Sequence, residues 1–277
     1  MRRNIKKLLL LKYLFYSGTL YSASSVFIVV HGTWGANTNW YVPGGDFFDS
    51  LERTVSGKNS AVVPFCWSGG CGHSSRLKAA HNLVKLIKAY DTSIAVYLVA
   101  HSHGGNVCML ASQLLGEDAH NKHRIRAVYT LGTPVMSRYM PNMDVIYYLY
   151  NLFSLEDYIQ PVLGISAREY AEHNRIANIR VFVEGKEPGH TDLHDPIVAQ
   201  QIPMLHRRFK QHLREKNVWN TIAEPSIIYC DSTQAPRYSF DAQRKELIES
   251  DRQLSVLMFN IDHMFRSASH AGLNKGK

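Results

Sequence analysis

Residues Ile94 to Cys108 read I-A-V-Y-L-V-A-H-S-H-G-G-N-V-C. Val96 to Ala100 is a short, almost unbroken apolar run, the pattern of a strand buried on both faces of a parallel sheet. The chain then turns through His101-Ser102-His103-Gly104-Gly105 into Asn106-Val107-Cys108-Met109-Leu110, which reads as a helix. A strand feeding straight into a helix leaves their backbones almost touching at the turn. Only small side chains fit two residues before and two residues after its apex. Those positions hold Ala100 and Gly104, and the apex is Ser102. A serine so placed is either the cap of a helix or an exposed nucleophile at the end of a strand.

Working outward, strands and helices alternate. Val26 to Val30 is predicted as a buried strand, followed by His31-Gly32-Thr33-Trp34 and a polar, aromatic loop to Gly45. Asp46 to Val55 reads as a short helix, Ala61 to Phe65 as the next strand, and Ser74 to Tyr90 as an amphipathic helix. Beyond the central stretch come strands at Ala127 to Leu131, Val145 to Tyr150 and Ile179 to Val183, then a helix from Pro196 to Leu213. This alternation predicts an α/β fold with a mostly parallel central sheet and helices on both faces. Pro225 to Cys230 reads as an added edge strand. Asp241 to Phe265 places Leu247, Leu254, Leu257, Met258, Ile261 and Phe265 on one helical face, either for packing on the parent domain or for a partner or lipid contact. The expected organisation is a leader at 1–25, a core at 26–216 and a C-terminal extension at 217–277 packed on that core.

The chain has 277 residues, 45% hydrophobic and 19% charged, with a formal net charge of +8. That composition supports a real core and permits anionic partners. No stripe of Lys/Arg interleaved with aromatics crosses the middle of the chain, which argues against nucleic acid. The leader runs from basic to apolar to small residues, the layout of a secretory signal. A membrane-surface helix and an extra strand or unstructured lead are the competing readings, and the balance leans toward an exported or membrane-associated protein. Trp34, Trp40, Tyr41, Phe47 and Phe48 suit a membrane surface, the wall of an acyl pocket, or plain core. Of the four cysteines, Cys66 and Cys71 either close a small disulfide loop or stand as thiols, and no C-x-x-C pair calls for structural zinc.

In a parallel sheet, functional groups gather past the carboxyl ends of the strands. The glycine of His31-Gly32-Thr33 lets the backbone turn so that the Thr33 N–H points toward an oxyanion. The N–H of His103, next to Ser102, is the second expected donor, and His31 orients the loop. The acid is expected after the strand ending at Tyr150, at Asp157 with Glu156 as its competitor. Asp144 borders the wrong end of that strand. The base is expected after the strand ending at Val183, at His190 with His194 as the alternative. A metal site built from these two histidines with Asp192 and Asp195 competes, but it leaves Ser102 and the glycine loop unexplained.

The sequence resembles the lipase/esterase branch of the α/β-hydrolase superfamily, including bacterial lipase-like and PGAP1-like deacylases. The matching stretches are V-V-H-G-T-W with Trp40 and Pro43-Gly44, P-F-C-W-S-G with Arg76, L-V-A-H-S-H-G-G-N-V, T-L-G-T-P, the Leu-Tyr-Asn run to Asp157-Tyr-Ile-Gln, and G-H-T-D-L-H. They span roughly residues 26 to 205. The order Ser102, Asp157, His190 is that of this superfamily. The resemblance implies hydrolysis of carboxylic esters, lipids among them, through an acyl-enzyme and without a cofactor. A catalytically silent interaction protein, or an acyltransferase or thioesterase using the same triad, are the alternatives.

Overall fold

The computed structural model describes residues 23–159, 167–215 and 226–240. Eight strands form one sheet: β1 (Ser25–Val30), β2 (Ser60–Phe65), β3 (Ala95–His101), β4 (Ile125–Leu131), β5 (Leu149–Phe153), β6 (Ile176–Val183), β7 (Ser226–Cys230) and β8 (Arg237–Phe240). Their order is β2-β1-β3-β4-β5-β6-β7-β8. All neighbours pair in parallel except β7 and β8. Four helices among the described residues flank the sheet: α1 (Asp46–Val55), α2 (His73–Lys88), α3 (His103–Glu117) and α4 (Pro196–Glu215).

The period of the strands explains the two layers. On β1, Val26, Ile28 and Val30 join a core with Leu83, Ile87, Val107 and Leu110 of α2 and α3. Phe27 and Val29 join a second core with Phe47, Leu51, Ile202 and Leu205 of α1 and α4. Alternate side chains on one strand thus feed opposite faces. The chain steps from β1 outward to β2 through α1, then back across β1 to β3 through α2. One hand of crossover for steps in opposite directions puts α1 and α2 on opposite faces. It also creates a switch point between β1 and β3, where a crevice opens past the carboxyl ends of the strands.

The fifth strand is displaced from its expected position. Val145 to Tyr150 was the expected span, yet β5 is Leu149–Phe153, and Ile146 makes only an isolated bridge to Ile125. The polar Asn151 interrupts the apolar run in sequence. In the sheet it lies opposite Thr130 on β4 and Asn178 on β6. Thr130 Oγ1 donates to Asn151 Oδ1 at 2.8 Å, and Asn151 Nδ2 donates to Asn178 Oδ1 at 2.9 Å and to the Arg168 carbonyl at 2.7 Å. Those partners offset the cost of burying the amide.

The sheet continues beyond residue 216. The half-buried alternation of Ser226–Cys230 pairs with β6, β8 closes the edge, and the compact unit reaches Phe240. The leader to residue 22 and the apolar stripe of 241–265 lie outside the described residues. Among those described, no helix is long and apolar enough to cross a membrane. Cys66 and Cys71 are exposed and not joined by a disulfide.

Candidate active site

Ser102 sits between β3 and α3 with φ +53° and ψ −135°, a conformation that a side chain rarely tolerates. A strand-to-helix reversal with no intervening loop forces it, and the sequence accommodates the crowding with glycine. A Cβ at Gly104 would come within 2.6 Å of the Val30 and His31 carbonyl oxygens. The Ser102 N–H is tied to the Leu131 carbonyl of β4 at 2.9 Å, and Thr133 Oγ1 donates to the Ser102 carbonyl at 2.9 Å. Strain held this way keeps the hydroxyl at the tip of the turn. The fold is α/β, a mostly parallel eight-stranded sheet with helices on both faces.

Neither a known family model nor any curated protein matches the sequence. Solved structures do resemble it. A cutinase-like protein from Cryptococcus sp. shares 11% identity at a TM-score of 0.40, over 72% of this chain and 98% of that one. Lipase B from Aspergillus fumigatus shares 12% at 0.47, over 67% of this chain and 53% of that one, so this chain spans about half of that lipase. A protein described as a hydrolase of the α/β superfamily from Xanthomonas campestris shares 12% at 0.42, over 66% of this chain and 99% of that one.

The loop after β1 lies against the elbow. A Cβ at Gly32 would fall 2.7 Å from Ser102 Cβ and 3.3 Å from Ser102 Oγ. Thr33 follows Gly32, and His103 opens α3, where the first N–H groups of a helix lack intrahelical acceptors. The two expected donors therefore flank Ser102 from the β1 and β3 sides. His31 is fully buried, contacts Gly32 O through Nδ1 and the Trp67 backbone through Nε2, and accepts from Trp67 Nε1 at its carbonyl at 2.7 Å. Its role is to fix the loop.

Asp157 Oδ2 lies 2.7 Å from His190 Nδ1, with the carboxylate fully buried. Glu156 points outward, accepting from the Tyr158 hydroxyl at 2.9 Å. His194 is not at Asp157: its ring stacks on Trp40 with centroids 4.5 Å apart and packs edge-on to His101. Asp192 Oδ2 accepts from the Gly189 N–H, and Asp195 Oδ1 accepts from the Ile197 N–H, so the four metal-type side chains at 190–195 turn to separate partners. Gly132, with φ +58°, lets the chain pass under this pair; a Cβ there would meet Asp157 Oδ2 at 2.7 Å. No hydrogen bond joins Ser102 Oγ to His190 among the described residues. Such links commonly tighten only with substrate bound.

Three supports were not visible in the sequence. His101, immediately before Ser102, donates from Nε2 to the His190 carbonyl at 2.9 Å and tethers the loop that carries His190 to β3. Arg168 is buried and donates from Nη2 to the Leu155 and Asp157 carbonyls, each at 3.1 Å. Glu187 accepts from the Leu155 N–H at 2.7 Å and pairs with Arg180. The Asn151 amide that holds the Arg168 carbonyl makes this clamp an extension of the Thr130–Asn151–Asn178 ladder. No motif marks these residues, because each acts through chain brought near only by folding.

The aromatics after β1 divide sharply. Trp40, Tyr41, Phe47 and Phe48 are buried, whereas Trp34 is 71% exposed. Four of the five are core, as the packing of α1 on the sheet requires.

His190→Ala and His194→Ala separate the two candidate bases. The first is expected to lower kcat on the order of 10⁴-fold or more, the second by no more than about tenfold, since His194 touches Trp40 rather than Asp157. Equal losses in esterase assays would contradict the assignment.

Four histidines around the elbow, His31, His101, His103 and His194, have lowered pKa values. Burial is the main cause for each. Charges on Arg76 and His190 add to it at His103, and charges on His190 and His194 at His101. His103 and His194 fall to about 4, and His31 and His101 lie below the usual 6.5. Below pH 6.5 the unfolded chain takes up protons that the folded chain refuses, so stability is full above that pH and is lost as pH falls toward 4. Thermal melts should therefore give a falling Tm from pH 7 to pH 4.5, and a flat profile would contradict the burial of neutral rings.

Proposed function

We propose that this protein hydrolyses carboxylic esters as a serine hydrolase of the lipase/esterase branch. The observation that carries the reading is the Asp157–His190 pair beside a strained serine whose Cβ packs against the Gly32 backbone. In this reading His190 Nε2 takes the Ser102 proton as Oγ attacks the ester carbonyl carbon. Asp157 accepts from Nδ1–H, fixes the tautomer and stabilises the imidazolium. The N–H groups of Thr33 and His103 hold the oxyanion, and the positive end of α3 adds to their field. Collapse of the tetrahedral intermediate expels the alcohol, which leaves with the proton from Nε2. Water then attacks the acyl-serine by the same route and releases the acid. No step calls for a cofactor.

Exposed apolar side chains occur on loops after β1 and β5, at Trp34, Tyr158 and Ile159. They favour an ester with an apolar portion, and presentation of that substrate at a membrane surface is part of the proposal.

The test is labelling with a fluorophosphonate probe, with the modified peptide mapped by mass spectrometry, followed by a panel of p-nitrophenyl esters of rising chain length. Modification at Ser102 with turnover is expected. A folded protein that takes up no probe and cleaves no ester would overturn the reading and favour a silent interaction protein.

A further inference from the structure

Arg76 lies in the first turn of α2 and is 6% exposed. Its Nε donates to the Tyr139 hydroxyl at 3.1 Å, and its guanidinium carbon lies 5.2 Å from the centroid of that ring. Because arginine can only donate, the Tyr139 hydroxyl must accept that bond, leaving its own proton for His73 Nδ1, 3.2 Å away. Nη1 is buried with no hydrogen-bond partner among the described residues, and no carboxylate among them pairs with Arg76. A buried cation without a counter-charge is costly, and one that persists in a fold calls for an explanation.

Its position supplies one. α2 starts just after the loop that leaves β2, and this loop receives the Trp34 N–H at the Gly69 carbonyl, 2.9 Å away. Tyr139 belongs to the short turn Ser137–Tyr139 after β4. Arg76 thus sits among the loops that leave β2 and β4, on either side of the elbow, at the functional end of the sheet. Its charge is felt by His103, the residue after Ser102. Thr33, on the oxyanion loop, also carries a buried hydroxyl without a partner among the described residues. A ligand bearing negative charge would satisfy the guanidinium, and it would satisfy a hydroxyl donor as well.

We propose that Arg76, steadied by Tyr139, forms an anion subsite beside Ser102, so that the preferred ester carries a carboxylate or phosphate group near its scissile carbonyl. This rests on the ester-hydrolase reading for its substrate but not for its binding site. No bond is made or broken at Arg76.

Two measurements test it. In the first, wild type, Arg76→Lys and Arg76→Gln are assayed on p-nitrophenyl butyrate and on the mono-p-nitrophenyl ester of glutaric acid. Wild type should favour the anionic ester in kcat/KM. That preference should fall on the order of tenfold in Arg76→Gln and less in Arg76→Lys, which keeps the charge but loses the fork. In the second, inorganic phosphate is titrated against each protein by thermal shift, and it should raise the Tm of wild type but not of Arg76→Gln. Should Arg76→Gln fail to fold, Arg76→Lys and Tyr139→Phe carry both measurements, each with a partial loss. Wild type that prefers the neutral ester, or a phosphate response unchanged by every variant, would overturn the proposal. If phosphate binding depends on Arg76 while neither ester is cleaved, the subsite stands and the hydrolase reading fails.

Discussion

Replacing Ser102 by alanine is expected to lower ester hydrolysis on the order of 10⁶-fold and to abolish fluorophosphonate labelling, while the protein keeps its fold. The structural cost is small because the strained backbone is imposed by the strand-to-helix reversal and not by the hydroxyl. The Ser102 N–H and carbonyl, which tie the turn to β4 and Thr133, are backbone groups that alanine retains. The Cβ that packs on Gly32 is retained too. Turnover by folded Ser102→Ala at anything near the wild-type rate would exclude Ser102 as the nucleophile. Loss of activity together with a collapsed Tm would mean that the elbow itself had been disturbed, and Ser102→Cys would then serve as the second probe.

Asp157→Asn is expected to lower kcat on the order of 10⁴-fold with little change in KM. The side chains are nearly isosteric, and the Arg168 bond to residue 157 goes to its backbone carbonyl, so the loop should stay in place. What changes is the tautomer. The carboxylate accepts from His190 Nδ1–H at 2.7 Å, leaving Nε2 free to take a proton, whereas an amide nitrogen there would drive the proton to Nε2. Glu156→Gln is the control, because Glu156 faces outward toward the Tyr158 hydroxyl. Steady-state kinetics in which Glu156→Gln, and not Asp157→Asn, loses the activity would move the acid by one residue.

What the sequence determined by itself is what local physics determines. The apolar run at 96–100 followed by small residues around Ser102 requires a strand, a reversal and a helix, whatever else the chain does. Alternation of such runs with amphipathic helices commits the chain to a parallel sheet covered on both faces. The end of the sheet that carries the site then follows, because β1 to β7 all point the same way, and Thr33, Ser102, Asp157 and His190 all lie just past a strand end. Only tertiary structure separated residues of equal local standing. Asp157 and Glu156 are neighbours on one loop, and His190 and His194 are four residues apart. Which of each pair turns inward depends on Arg168, Glu187, His101 and Trp40, which approach from other segments of the chain. The displaced β5 has the same origin: Asn151 looks like a break in an apolar run until Thr130 and Asn178 are set opposite it. A buried polar group is legible only with its partners, and its partners are fixed by the sheet register rather than by distance along the chain.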